Sequence, residues 1–306
     1  MIAKGMDSNG PVVVAVDGSE HSLKALDWAL LAARAVGAEV VAAHVLPGHA
    51  QFWQARRTSM VGAAEEPAAD PVAGVVRAHL EGRADLPQVR YESLEGELPG
   101  ALDAPAAGAR MLVLGSRGRG GFASLLLGST SRASATTAPC PVVVVPHSAR
   151  EAGREGEGRV VLGLNPSETA DEVIEFAFRQ AADLGLKIMP LTAFLDPVAP
   201  LPLIGAPMPG GLPDEDLAPL LREIERAQQE RLEPIAARYP GVVVESLVGP
   251  GDAAGQLVAQ SKTADLLVVG RHRTRLRADS LLMGSVANAA LLHAQCPVAV
   301  VPAPKR

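Results

Sequence analysis

With 306 residues the chain is long enough for about two domains, and its 48% hydrophobic and 20% charged residues are typical of a globular protein with buried cores. The formal net charge of -6 argues against a general nucleic-acid binder, because phosphate contacts need concentrated lysine and arginine. No apolar stretch approaches the roughly 18 residues of a membrane span, and the N-terminus lacks the apolar segment of a signal peptide. We therefore expect a cytoplasmic protein that contacts no membrane.

Four sequence blocks recur in the same order in the two halves of the chain. VVVAVDGSE at 12–20 returns as VVLGLNPSE at 160–168, and LLLGSTSRASATTAPCPVVVVP at 125–146 returns as LLMGSVANAALLHAQCPVAVVP at 281–302. Between these blocks, YESLEG in the first half matches VESLVG in the second, and MLVLG matches LLVVG. Matched blocks in a conserved order indicate a duplicated domain.

The repeat predicts one domain over 1–148 and a second over 159–306. A Gly- and Glu-rich segment without apolar periodicity lies between them and is interpreted as a linker over 149–158.

Within the first half, short β-branched runs alternate with helical stretches. In chain order we predict a strand at 12–16, a helix at 21–35 with Ser19 as its N-cap, strands at 39–46, 89–94 and 111–114, a helix from about Ser129, and a strand at Val142–Val145. Near-continuous apolar strands separated by helices imply a parallel sheet that is covered on both faces. Each half is therefore predicted to be a doubly wound, Rossmann-like α/β domain.

Buried positions are predicted for three further residues. Cys140 and Cys296 stand in matching settings, APCP and AQCP, which favours buried core thiols over a disulfide or a metal site. His44 lies on an apolar strand and is expected to be a hydrogen-bonded core residue.

A candidate ligand site follows from the strand ends. In doubly wound folds the ligand lies beyond the carboxyl ends of the strands, where the strand order switches. Asp17 and Gly115 each follow a predicted strand and would face the same crevice.

The stretch GSRGRGGFASLLLGSTS, 115–131, combines glycines with hydroxyl residues at the start of a predicted helix. Gly115 and Gly118 are expected to adopt positive φ, so that backbone N–H groups wrap an anion. The helix after Gly128 would offer its unpaired N–H groups, its dipole and three hydroxyls to a phosphate. The combined spacing, with AVDGSE after the first strand, predicts a nucleotide site.

VAVDGS, LVLGSRGRGGFASLLLGSTS and APCPVVVVP together resemble the universal stress protein family, and the duplication resembles its tandem form. The resemblance implies the adenine nucleotide alpha hydrolase-like fold, and the pattern G-x2-G-x9-G-S is that of the ATP-binding members. It places twelve residues at the nucleotide: Ala15, Val16, Asp17, Val45, Leu114, Gly115, Arg117, Gly118, Gly128, Ser129, Thr130 and Ser131.

By that resemblance Asp17 and Val45 would contact the adenosine, and Gly115 would lie near the ribose. Arg117 and the residues from Gly118 onward would surround the phosphates, with a divalent ion such as Mg²⁺ bound through the phosphates rather than by protein ligands.

The resemblance implies a regulatory stress-response protein whose nucleotide state changes its conformation or its binding of an unknown protein partner. It also implies pairing through the final strands, Val142–Val145 and Val298–Val301, in a homodimer or an intrachain pseudo-dimer. No general base is evident, so we expect no enzyme activity beyond slow ATP hydrolysis. Two alternatives stay open. One is a dimerisation scaffold that needs no nucleotide. The other is an ATP-using adenylating enzyme, which AVDGSE disfavours because those enzymes carry SGGxDS after the first strand.

The second half departs from this pattern. Asn165 and Pro166 stand where the first half has Asp and Gly, Arg273 replaces the second glycine, and one extra residue precedes Gly284. Because a non-glycine residue in a left-handed conformation costs roughly 1 to 2 kcal/mol, we expect this second site to be weak or empty.

An alternative for the second half lies in RHRTRLR, which places arginine at every second position. In an extended loop, Arg271, Arg273 and Arg275 would line one face and hold phosphates by their guanidinium groups. A solvated loop is the competing interpretation.

Overall fold

The structure, a computed structural model, describes residues 9–46, 70–118, 127–149, 158–194, 214–271 and 283–303. The chain divides into two compact units, Met1–Arg154 and Glu155–Arg306. Residues 150–157 of the predicted linker, and both Arg273 and Arg275, lie outside the described residues.

The first unit contains a parallel sheet flanked by helices. Its described elements are β1 (Val12–Ala15), α1 (Glu20–Val36), β2 (Val40–Leu46), α2 (Pro71–Leu80), β3 (Val89–Glu95), a 3-10 turn (Gly100–Leu102), α3 (Asp103–Ala106), β4 (Met111–Gly115), α4 (Ser129–Thr137) and β5 (Val142–Val145). The strands lie in the order β3-β2-β1-β4-β5, and each pairs in parallel with its neighbour. The predicted elements are confirmed, with ends within about two residues.

The second unit repeats this order. Its described elements are β6 (Arg159–Gly163), α5 (Asp171–Leu184), β7 (Lys187–Phe194), α6 (Asp214–Ala236), β8 (Leu247–Pro250), α7 (Ala253–Gln260), β9 (Leu266–Gly270), α8 (Ser285–His293) and β10 (Val298–Val301). The strands lie in the order β8-β7-β6-β9-β10, also in parallel. The doubly wound α/β fold is therefore confirmed in both units.

Local sequence explains how the helix after β1 begins and ends. The hydroxyl oxygen of Ser19 accepts a hydrogen bond from the backbone N–H of Ser22, so Ser19 is the predicted N-cap of α1. Gly37 ends the helix in the left-handed region at φ 65, where glycine carries no steric penalty.

The sheet core is apolar because helices cover both faces. Every residue of β4 and β5 is buried, as the continuous apolar runs predicted. Cys140 and Cys296 are not joined in a disulfide and are each 3% exposed, which confirms their predicted burial. Within the described ranges, none of the helices is both long and apolar enough to cross a bilayer.

The strand order places the candidate site. β1 pairs with β2 on one side and with β4 on the other, so the direction of winding reverses between β1 and β4. Val14 and Val113 are register partners, and the loops that follow their strands therefore leave the sheet side by side.

Candidate functional site

The turn after β1 holds the carboxylate of Asp17. Its Oδ1 accepts hydrogen bonds from the backbone N–H of Ser19 at 2.9 Å and from the Ser19 hydroxyl at 2.6 Å. Between them, Gly18 has φ 76, a conformation that a residue with a side chain rarely adopts. The start of α1 therefore fixes the acid at the end of β1.

The glycine and hydroxyl ends of the predicted loop meet at the end of β4. The backbone N–H of Gly128 donates to the carbonyl of Ser116 at 2.7 Å, and the Ser131 hydroxyl donates to the carbonyl of Gly115 at 2.7 Å. Residues 119–126 of this loop lie outside the described residues. These two bonds set the N-terminus of α4 directly against the strand end.

Close approach, rather than positive φ, explains the glycines at this strand end. A Cβ on Gly118 would stand 2.6 Å from Asp17 Oδ2, and one on Gly115 would stand 2.6 Å from the carbonyl oxygen of His21. Neither glycine has a φ in the left-handed region, so the expected positive φ was wrong. The cost of a left-handed conformation that was expected for Arg273 therefore does not apply, because Gly118, the residue it replaces in the repeat, is not left-handed.

The first turn of α4 begins without a side-chain cap. Gly128 has no side chain with which to cap the helix, so it covers none of the N–H groups that begin the helix. Ser129 is exposed and Thr130 is half-buried. Ser131 differs from its expected role, since its hydroxyl is buried and bonded to the strand end. That side chain therefore supports the turn.

The remaining predicted residues lie on the strand ends beside this turn. Ala15 pairs with Ala43, two residues before Val45, and Leu114 follows Val113, the partner of Val14. Since partners in a parallel register point to the same face, Ala15, Val45 and Leu114 share one face of the sheet. Val16, next to Ala15, is buried at 3% exposure.

His21 is a site residue that no sequence motif indicated. It lies in the first turn of α1, and its ring packs edge-on against the ring of His147 at 4.6 Å between centroids. Burial and the nearby positive charge of Arg117 lower the pKa of His21. The imidazole is therefore neutral near pH 7, while Arg117 keeps a positive charge close to Gly115.

A charged network ties β2 and β3 to α2 in the same unit. Oδ2 of Asp70 accepts hydrogen bonds from the Tyr91 hydroxyl at 2.7 Å and the Ser93 hydroxyl at 2.8 Å, and it lies 2.8 Å from His44 Nδ1. Its Oδ1 accepts from the N–H of Val72 at 2.9 Å, which caps α2. The prediction that His44 is a hydrogen-bonded core residue is borne out by a side chain that is 12% exposed.

Opposing effects act on the ionisation of Asp70. Burial disfavours the carboxylate, but the hydrogen bonds from His44, Tyr91 and Ser93 outweigh burial and lower the pKa of Asp70 to about 2. Burial and the adjacent carboxylate raise the pKa of Tyr91. Asp70 is therefore an anion at neutral pH, stabilised by its hydrogen-bond donors.

The second unit builds the corresponding turn differently. Pro166 replaces Gly18, and a proline cannot adopt the positive φ that Gly18 has. Asn165 Oδ1 still accepts from the N–H and the hydroxyl of Ser167, at 3.1 and 3.0 Å, but the backbone N–H of Thr169 also donates to the carbonyl of Asn165 at 2.9 Å. α1 begins at Glu20. The matching residue in the second unit is Glu168, but α5 begins three residues later, at Asp171. The helix thus lacks its first turn.

A cavity of about 360 Å³ lies at this displaced helix start. It is lined by Gly163, Leu164, Asn165, Glu168, Thr169, Ala170, Leu191, Ala193, Gly251, Asp252, Ala253, Leu257, Val269, Gly270, Gly284, Ser285, Val286 and Ala287. The N–H of Gly284 donates to the carbonyl of Arg271 at 3.0 Å, so the extra loop residue leaves the backbone bond of the first unit intact. Arg271 is 8% exposed and does not line the cavity.

Within the part of the chain that the structure describes, no group of three or more His, Cys, Asp and Glu side chains is placed to hold a metal ion.

Comparison with known proteins gives consistent matches over the chain. The model of the universal stress protein family matches residues 9–146 and again 158–302. A universal stress protein of Mycobacterium tuberculosis is 30% identical over 320 residues, which cover 97% of this chain and 96% of that protein. One from Mycolicibacterium smegmatis is 31% identical over 302 residues, covering 95% and 96%. The crystal structure of a universal stress protein from Archaeoglobus fulgidus gives a TM-score of 0.61 at 18% identity, over 97% of this chain and 99% of that one.

Proposed function

Because this chain belongs to the universal stress protein family, with two such domains in tandem, we propose that its first unit binds ATP and that the bound nucleotide regulates the protein. The observation that carries the proposal is the convergence of Asp17, Gly118 and Gly128 at one end of the sheet. Gly118 lies against the Asp17 carboxylate, and Gly128 bonds to the end of β4. Three parts of the motif, two of them far apart in sequence from the first, thus meet at one end of the sheet.

The N-terminus of α4 fits the phosphates. Its first N–H groups and its dipole attract an anion, and the half-buried Thr130 and exposed Ser129 add hydroxyl donors. Arg117 adds a positive charge nearby. Mg²⁺ would be held through the phosphates.

The strand ends fit the nucleoside. Ala15, Val45 and Leu114 share one face of the sheet, and the half-buried Ala15 and Val45 offer an apolar surface to an adenine ring, while Leu114 is buried. Asp17 keeps Oδ2 beside Gly118, where a carboxylate can accept from a base or a ribose hydroxyl.

A route for regulation begins at Ser19, whose hydroxyl binds both Asp17 and the start of α1. α1 packs on β1, β4 and β5. A ligand that moves Asp17 would therefore shift the start of a helix that covers the sheet, and an unidentified protein partner or a second copy of the chain would sense this shift.

The direct test is to denature the purified protein and to identify and quantify the released nucleotide. We expect about one ATP per chain, because only the first unit retains the glycines, the aspartate and the hydroxyls. Two per chain would show that the second unit also binds nucleotide. None, even after incubation with ATP and Mg²⁺, would favour the scaffold without nucleotide.

We propose that hydrolysis is slow. In the proposed site Asp17 faces the base or the ribose and its Oδ1 is held by Ser19, whereas the phosphates lie at the N-terminus of α4, so the carboxylate is poorly placed to take a proton from an attacking water. The expected steady-state rate of phosphate release is below about 1 per second, the lower end of ordinary enzymes. A faster rate that disappears in the Gly128→Glu variant would contradict this proposal.

A further inference from the structure

The cavity of the second unit differs in chemistry from the site of the first. It lies at the carboxyl ends of β6, β7 and β9, and the N-termini of α7 and α8 open onto it. Its volume of about 360 Å³ is in the range of small-molecule sites. α5 begins three residues later in its motif than α1 does, and Glu168, Thr169 and Ala170, which precede it, line the cavity.

The floor of this cavity suits a planar apolar ring. It is formed by aliphatic side chains from three strands and one helix: Leu164, Leu191, Ala193, Leu257 and Val269. Ala193 occupies the position of Val45 in the repeat, and its smaller side chain leaves more room. Burying a flat ring against such a floor gains free energy in proportion to the apolar area removed from water.

The phosphate side of the cavity has lost one of the two hydroxyls available at the start of α4. Val286 stands where the first unit has Thr130, and Ser285 is retained. Ala287 replaces Ser131, whose hydroxyl in the first unit binds the strand end. A phosphate here would desolvate its oxygens beside two alkyl side chains, an unfavourable exchange for a charged group.

The rim carries two carboxylates. Glu168 and Asp252 line the cavity, and no lysine or arginine is among its lining residues in the described part of the chain. Carboxylates accept hydrogen bonds from ribose hydroxyls, and they repel phosphate. Asn165, which replaces the aspartate of the first unit, adds an uncharged carboxamide at the same rim.

We propose that this cavity binds an unphosphorylated nucleoside, with the ring on the aliphatic floor and the sugar hydroxyls at Glu168 and Asp252. The second unit then binds an uncharged ligand that differs from the ATP of the first. This inference goes beyond the proposed function and does not rest on it, since it uses the contacts of the second unit alone.

The test uses the full chain with the first unit blocked by Gly128→Glu and Val45→Trp. Calorimetric titration with adenosine and guanosine is expected to show saturable binding of at least one of them, and AMP is expected to bind at least tenfold more weakly, which corresponds to about 1.4 kcal/mol. No binding of either nucleoside up to about 1 mM, or AMP and ATP binding as tightly as the nucleosides, would overturn the proposal.

Two further variants locate the ligand. Ala193→Trp should abolish nucleoside binding by filling the floor, whereas Val243→Trp adds the same bulk at a residue that is 54% exposed and outside the cavity, and it should change nothing. Should Ala193→Trp fail to fold, Glu168→Gln tests the rim of the cavity in its place. Removing this negative charge should narrow the difference in affinity between AMP and the nucleoside. An unchanged difference in Glu168→Gln, or binding that survives in a folded Ala193→Trp protein, would refute the assignment.

Discussion

Gly128→Glu protein is expected to fold and to release no nucleotide on denaturation, with an affinity for added ATP reduced at least a hundredfold. A Cβ at this position would stand 3.3 Å from the carbonyl oxygen of Ser116 and 3.6 Å from the Cα of Arg117, so the new side chain must turn toward the open end of α4. Its carboxylate would then bind the helix N-terminus in place of a phosphate, since both are anions that the helix dipole favours. Quantifying the nucleotide in the denatured supernatant measures the effect.

Gly284→Glu is the matched control in the second unit. Gly284 makes the same backbone bond to the preceding strand end, and a Cβ on it would have similar space, 3.4 Å from the carbonyl oxygen of Arg271. We expect its nucleotide content to equal that of the unmodified protein, because the second unit has Asn165, Arg273 and Val286 where the first has Asp17, Gly118 and Thr130. Loss of half the nucleotide in Gly284→Glu, or full retention in Gly128→Glu, would contradict the assignment of the site to the first unit.

Asp70→Ala is expected to lower the free energy of unfolding of the first unit by about 2 to 4 kcal/mol, because it removes a buried charged acceptor and the N-cap of α2 together. Asp70→Asn should cost less, since an asparagine retains a cap and one neutral acceptor. Urea unfolding followed by tryptophan fluorescence measures the change. Both tryptophans, Trp28 and Trp53, belong to the first unit, so the signal is specific to it.

The loss of unfolding free energy caused by Asp70→Asn should also depend on pH. The carboxyl has a pKa of about 2 in the folded unit against an ordinary 3.8, so folding favours the ionised form. This contribution is fully present above pH 3.8 and is lost as the pH falls toward 2. The difference in stability between Asp70→Asn and the unmodified protein should therefore shrink across that interval. A difference that stays constant from neutral pH to pH 2.5 would show that the charge of Asp70 contributes nothing.

The second unit has a neutral network at the corresponding strand. Gln228 on α6 donates to the carbonyl of Pro190 at 3.1 Å and to the Thr192 hydroxyl at 3.0 Å. Thr192 matches His44 in the repeat, so an amide has taken the place of the carboxylate of the first unit. The duplicated fold thus retains a polar link from β7 to its covering helix without a titrating group.

Local patterns in the sequence were enough to predict the duplicated α/β fold. Apolar β-branched runs, the cap at Ser19 and the repeated APCP and AQCP blocks are signals that neighbouring residues carry, and the parallel strands and buried thiols follow from them. The strand order placed Asp17 and Gly115 at neighbouring strand ends for the same reason, since doubly wound sheets obey a general rule of winding.

Other features depend on contacts between residues that are distant in the chain. The glycines at 115 and 118 are explained by the approach of His21 and Asp17, and the charge of Asp70 by donors on two strands. The later start of α5 is local, but the cavity beside it needs β7, α7 and α8 to form its walls. Sequence alone determined the fold and the end of the sheet at which ligands bind, because short-range patterns govern both. Tertiary structure decided which groups face each ligand, because distances across the fold have no local signature.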